Sequence, residues 1–162
     1  MRDIGNIFIY GYGNPGRQDD GLGNALVEKV EDWLTKKQFN HISLDSNYQL
    51  NVEDAAEIYD KDLVIFADAS IEEHIKNFEI TRVSPSAEVN FTMHTVSPGY
   101  VLNLCQTIYG YHPPAYLLHI RGYEWEMKES LSEQAQQNLN KAFDNLKEII
   151  SNPELLEMKK SD

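Results

Sequence analysis

The sequence predicts an α/β fold: a three-layer sandwich in which a twisted, mainly parallel sheet of about five strands carries helices on both faces. Three observations point there. Strand-like and helix-like segments alternate along all 162 residues without a linker or an internal repeat. Leu63-Val64-Ile65-Phe66-Ala67 is an uninterrupted apolar run, as expected of a central parallel strand covered on both faces. A chain of this length, 41% hydrophobic, can bury roughly 70% of its unfolded surface in one core and needs no staples.

Each element follows from local patterning. Ile7-Phe8-Ile9-Tyr10 reads as the first strand. Leu22, Ala25, Leu26, Val30, Trp33 and Leu34 then recur at helical spacing and form one apolar stripe. Phe39 to Leu44 reads as a second strand. Asn51 is placed to cap a helix over Val52 to Tyr59, with Asp54 three residues on as in a capping box. After the central run, Phe78 to Val83 alternates apolar and polar residues in the manner of an edge strand, and Ser84-Pro85-Ser86 ends it.

Ser97 followed by Pro98 predicts a helix start, because proline at the first helical position gives up an N–H that has no partner there. Val101, Leu104, Cys105 and Ile108 form its apolar face and Gly110 its stop. Ala115 to Ile120 is a further buried strand. Ser130 and Glu133 read as the capping box of the last helix, whose Ala135, Leu139, Ala142, Leu146 and Ile150 share a stripe before Pro153. The domain is expected to span 1–152, with a frayed, charged tail over 153–162.

Composition narrows the partners. The formal charge of −12, from 26 acidic against 14 basic residues, disfavours nucleic acid or an anionic membrane as a partner. One cysteine, Cys105, leaves no internal disulfide and no cysteine-rich zinc site, and its place on an apolar helix face reads as core. No run approaches the ~20 apolar residues of a membrane span, and the first residues lack the apolar core of a signal peptide. A cytoplasmic location is the expectation.

The segment from Gly11 to Gly23 fits two patterns with opposite chemistry. Gly11, Gly13 and Gly16 match the G-x-G-x-x-G of dinucleotide-binding folds, but Asp19 and Asp20 arrive where a pyrophosphate would sit and suit a cation instead. In an open α/β sheet, ligands sit beyond the carboxyl ends of the strands. Asp19 and Asp20 follow the first strand, Asp68 directly follows the third, and His94 precedes the Ser97-Pro98 helix, so all four can converge on one rim. Two carboxylates and an imidazole suit nickel, zinc or cadmium better than calcium or magnesium. Three protein ligands leave a coordination position for something from outside.

Each residue also has a structural reading. Asp68 can be a turn former, and a loop histidine is often solvated. Asp19 and Asp20 can divide roles, one oriented inward and the other capping backbone. His41, His74, His112 and His119 have no comparable placement and read as structural or exposed. Neither a Ser-centred G-x-S-x-G elbow nor an H-E-x-x-H pair is present.

Gly11-x-Gly13-Asn14-Pro15-x4-Asp20-Gly21-x-Gly23, the strand ending in Asp68-Ala69, and His94-Thr95-Val96-Ser97-Pro98 before a Leu-rich helix closely resemble the hydrogenase maturation endopeptidases. The likeness continues through Ile120-Arg121-Gly122-Tyr123 and Ser130-Leu131-Ser132 and spans nearly the whole chain. It implies an enzyme that removes a C-terminal extension from the large subunit of a nickel-iron hydrogenase once nickel is inserted. By that resemblance Asp20, Asp68 and His94 contact the metal. Asp20 and Asp68 are the catalytic candidates, with Gly13, Asn14, Asp19 and Gly21 as the supporting turn and its surroundings. The nickel comes with the substrate, the nickel-loaded large-subunit precursor, and no permanently bound cofactor is expected. One departure stands out: Asp45-Ser46-Asn47-Tyr48-Gln49-Leu50 occupies the place where many members carry Gly-Thr-Gly.

The mechanism stays open between two routes: a metal that polarises the scissile carbonyl or activates water, and Asp20 or Asp68 acting as general base with the metal for recognition only. Two other functions compete with cleavage. One is a metal-sensing chaperone for a metalloenzyme subunit that does not cleave, and the other is a nucleotide-binding module.

Overall fold

A computed structural model of the protein describes residues 5–37, 39–88 and 96–158. Ile7–Tyr12 (β1), Ile42–Asn47 (β2), Leu63–Ser70 (β3), Phe78–Val83 (β4) and Ala115–Arg121 (β5) form one sheet in the order β2-β1-β3-β5-β4. The first three pairings are parallel, and β4 closes the sheet antiparallel to β5. The helices are Leu22–Leu34 (α1), Asp54–Ile58 (α2), Pro98–Tyr109 (α3) and Glu133–Ser151 (α4).

Alternation along the strands sorts the side chains into two cores. Ile7, Ile9, Ile65, Leu118 and Ile120 pack with Leu22, Leu26, Leu139 and Leu146, which places α1 and α4 on one face. Phe8, Tyr10, Val64, Phe66 and Ala115 pack with Ala55, Ile58, Val101, Leu102 and Cys105, which places α2 and α3 on the other. The chain is therefore the three-layer sandwich that its sequence predicts. Cys105 is core: its Sγ lies 3.5 Å from the Ala55 carbonyl, and burial pushes the thiol up to about 11.

Several boundaries differ from the expectation, each for a physical reason. β2 covers 42–47 rather than 39–44, because its register against β1 runs from Ile7↔Ile42 to Tyr12↔Asn47. As an outer strand it tolerates the polar Asp45-Ser46-Asn47, which apolar patterning does not detect. β3 runs to Ser70, so Asp68 lies within the strand instead of directly after it. The short α2 keeps half of its expected capping box: the Asn51 N–H donates to Asp54 Oδ2 at 2.8 Å, but the Asn51 side chain turns to the Gln49 carbonyl.

The start of α3 matches the sequence reading, with the Tyr100 N–H donating to Ser97 Oγ at 3.1 Å and Gly110 left-handed at φ 74°. The start of α4 does not. Its cap is Ser132, whose Oγ accepts from the Ala135 N–H at 3.2 Å, while Ser130 sits at φ 112° outside the helix. The tail also departs from expectation as far as it is described. Pro153–Met158 forms a 3-10 turn whose Leu156 is buried in the core beside α4.

Candidate functional site

β1 pairs with β2 on one side and β3 on the other, so connections leaving β1 and β3 diverge at the carboxyl end of the sheet. That divergence is where open α/β sheets hold ligands. The Gly-rich segment shapes it through two close approaches. Gly13 has φ 149°, and a Cβ there would collide with the Asp20 carbonyl. A Cβ on Gly23 would collide with the Ala67 carbonyl, so only glycine lets α1 begin against β3.

Between β1 and α1 the chain makes a 3-10 turn, Pro15–Gly21, opened by the Asn14 side chain accepting from the Gly16 N–H at 2.9 Å. Because α1 starts only at Leu22, no α-helix opens within the G-x-G-x-x-G spacing. The dinucleotide cradle is absent from this turn, and its place is taken by carboxylates. The turn is kinked at Gln18, whose φ 46° and ψ −119° cost a non-glycine residue on the order of 1–3 kcal/mol. Contacts with the segment after β5 hold it there. The Gln18 N–H donates to the Lys128 carbonyl at 2.9 Å and Gln18 Oε1 accepts from the Glu126 N–H at 3.0 Å.

The kink sends the two aspartates to different tasks. Asp19 is fully buried. Its Oδ2 accepts from the Tyr123 N–H at 2.7 Å, the Glu124 N–H at 2.9 Å and Ser132 Oγ at 2.7 Å, while Oδ1 accepts from the Ser132 N–H at 2.7 Å. Burial by itself would raise this carboxyl, but the Ser132, Glu124 and Tyr123 amides outweigh it and hold it below the ordinary carboxylate range. Asp19 thus ties the turn to the β5–α4 connection and fixes Ser132 as the helix cap. That explains why Ser130 does not serve.

Asp20 faces the other way. Half-buried, its Oδ2 accepts from the Asn14 N–H at 3.0 Å. Asp68, across the divergence on β3, accepts from the Ala69 N–H at 2.8 Å, and the neighbouring Tyr12 phenol favours its charged form. Burial chiefly, and then the nearby charge of Asp20, push Asp68 up to about 7. The Tyr12 phenol is pushed up in turn by burial and by Asp68. Among the described residues no lysine or arginine forms an ion pair with Asp20 or Asp68. The two carboxyls are close enough for the charge of Asp20 to act on Asp68.

No protein-family model matches the chain, and no curated protein matches it closely enough to count. Solved structures do. The [NiFe] hydrogenase maturation protease HycI from Thermococcus kodakarensis KOD1 superposes with a TM-score of 0.70 at 20% identity, over 92% of this chain and 94% of that one. The hydrogenase maturating endopeptidase HybD from E. coli gives 0.69 at 17% identity, over 90% and 93%. The hydrogenase 2 maturation peptidase from a Thaumarchaeota archaeon gives 0.63 at 19% identity, over 90% and 97%. This chain has the hydrogenase maturation endopeptidase fold.

In this example of the endopeptidase fold, register adds a residue that sequence reading set aside. Val64 pairs with Ala115, so Asp68 and His119, each four residues further on, are in-register neighbours on one face. Tyr12 pairs with Asn47, and Glu79 with His119, extending a polar row across the sheet end. His119 Nε2 lies 3.0 Å from Thr81 Oγ1. Its strand position signals this only once the pairing partner is known. The other histidines agree with a structural or exposed reading: His41 rests on Phe39, His74 pairs with Glu72 and Glu79 at the surface, and His112 Nδ1 lies 3.2 Å from the Pro113 carbonyl.

His94 lies outside the described residues, and among those described no three His, Cys, Asp or Glu side chains form a metal-binding group. The described part of the rim therefore offers two oxygen-donor side chains.

Proposed function

We propose that this chain is a hydrogenase maturation endopeptidase. It removes the C-terminal extension of a nickel-iron hydrogenase large subunit after nickel insertion, with the substrate's own nickel as the recognition signal. The observation that carries this reading is the Asp20–Asp68 pair, two carboxyls facing one divergence of an endopeptidase-type sheet, one of them raised by burial and by its neighbour. A pair of that kind takes up positive charge, from a proton or from a divalent cation, and a cation arriving inside a protein substrate needs an open rim. The names of the superposed structures support the reaction class. No described helix is long and apolar enough to cross a membrane, which is compatible with action in the cytoplasm.

In this reading Asp20, Asp68 and His94 complete the coordination of the substrate's nickel and so fix the scissile bond beside them. Orientation then supplies much of the rate. The nickel would supply polarisation of the carbonyl or activation of water. In the alternative route it serves for recognition only, and Asp20 or Asp68 takes the water's proton. The reaction is peptide hydrolysis of the aspartic type, and the protein needs no cofactor of its own. The test is to mix the protein with nickel-loaded and nickel-free precursor and follow mass. Loss of the C-terminal extension from the loaded form alone is expected. Equal trimming of both forms contradicts recognition through nickel, and trimming of neither contradicts the reaction.

A further inference from the structure

Among the described residues the three most exposed large hydrophobic side chains are Met127, Tyr48 and Ile71, at 77%, 71% and 68%. All three lie at the carboxyl end of the sheet: Tyr48 directly follows β2, Ile71 directly follows β3, and Met127 is in the connection from β5 to α4. The exposed Ile108, Tyr109 and Tyr111 instead lead into β5 and so lie at the amino end. Neighbouring strands are about 4.8 Å apart, and β1 and β3 stand between β2 and β5, so the three connections leave the sheet across roughly 15 Å around Asp20 and Asp68. The backbone at Met127 is also fixed. It is the central residue of a three-residue turn in which the Lys128 N–H donates to the Glu126 carbonyl at 2.8 Å. Both flanking residues bond Gln18, and the Arg17 Nε–H donates to the Trp125 carbonyl at 3.1 Å. The turn that carries Asp20 therefore holds Met127 in place with its side chain in water.

A single apolar side chain at a surface is ordinary; three around one site, one of them on a clamped turn, form a patch that a partner can cover. The unbranched thioether of methionine adapts to an uneven partner surface. The same connections are acidic. Glu53, Glu72, Glu73, Glu124, Glu126 and Glu129 are exposed in them, against Lys76 and Lys128, and Lys128 is already paired with Glu126 at 3.9 Å. We propose that Met127, Ile71 and Tyr48 form the docking surface for the protein substrate, receiving an apolar patch of the precursor that is bordered by lysine or arginine side chains. Charge complementarity selects that border, and the clamped backbone lowers the entropy lost on docking. This rests on the proposed function for the partner's identity and extends it to the residues of this chain that choose the substrate.

Met127→Ser and Ile71→Ser remove apolar surface without altering either carboxyl, and Ile108→Ser, at the amino end, is the control. Thermal unfolding and the rate of trimming as a function of nickel-loaded precursor concentration are measured for each protein, at low and at high salt. The expected result is a KM raised about tenfold in each rim variant with kcat and the unfolding midpoint unchanged, the signature of lost uniform binding. Ile108→Ser should match the wild type, and the wild-type KM should rise with salt as screening weakens the attraction to a basic border. A wild-type KM in both rim variants overturns the inference while leaving the proposed function intact. An equal rise in Ile108→Ser, or a loss in kcat alone, also overturns it. A KM that does not rise with salt overturns the basic border. A wild-type protein that trims no precursor overturns the proposed function, and the docking surface falls with it.

Discussion

Asp19 and Asp68 are both aspartates withdrawn from water, and the fold treats them in opposite ways. Asp19 has donors in surplus, three backbone amides and a hydroxyl, and is held below the ordinary range despite burial. Asp68 has the Ala69 amide as its donor, is withdrawn from water and feels the charge of Asp20, and is pushed up to about 7. The difference teaches how to tell scaffold from site among buried acids. A carboxylate whose charge is fully answered by its own protein is holding the structure together. One left short of donors beside a like charge has the electrostatics of a functional-site candidate.

The largest test of that contrast is Asp19→Ala. It strands the Tyr123, Glu124 and Ser132 donors in a buried place, and unfolding free energy in urea should fall by about 3–5 kcal/mol. A loss below about 1 kcal/mol would remove Asp19 from the scaffold.

Asp68→Asn should move the other way. An acid raised in the folded state is a burden on stability once its counterpart in the unfolded chain ionises. That burden is absent below the unfolded value of about 4, grows as pH rises toward about 7, and is constant above. Asp68→Asn should accordingly be more stable than wild type by about 2 kcal/mol at pH 8, partial exposure being allowed for, and equal to it near pH 3. Asp19→Asn should show the reverse dependence. The stability supplied by a depressed acid is present above its unfolded value and vanishes as pH falls through its folded one. Parallel pH dependences in the two variants would erase the contrast.

Smaller effects sharpen the picture. Ser132→Ala should cost about 1–2 kcal/mol, because it removes both the α4 cap and a donor to Asp19, while Ser130→Ala should cost well under 1 kcal/mol. Similar losses from both would restore the capping box predicted from sequence. The smallest expected change is electrostatic: Asp20→Asn should lower the Asp68 carboxyl titration followed by NMR, because Asp20's charge is one of the two causes that raise it. An unmoved titration would separate the pair.

Much of this architecture is legible in the sequence because apolar periodicity reports burial directly. The central run 63–67 and the Ser97-Pro98 start are placed correctly, and so is the Ala135–Ile150 stripe. What periodicity misses is set by pairing. The polar half of β2 is strand only because β1 lies beside it, and His119 neighbours Asp68 only through the β3–β5 register. The adjacent Asp19 and Asp20 mark a site, but nothing local shows that a kink at Gln18 turns one into the core. The Ser132 cap is invisible for the same reason, since the group that selects it lies 113 residues away.

The central claim is that Asp68 is kept for a metal-bearing substrate at the expense of stability. The most direct measurement is to incubate folded Asp68→Asn and wild-type protein with nickel-loaded hydrogenase large-subunit precursor and follow the precursor by mass. The account predicts removal of the C-terminal extension by the wild type and none by the variant, although the variant is the more stable protein at pH 8. Trimming by Asp68→Asn at the wild-type rate would contradict it.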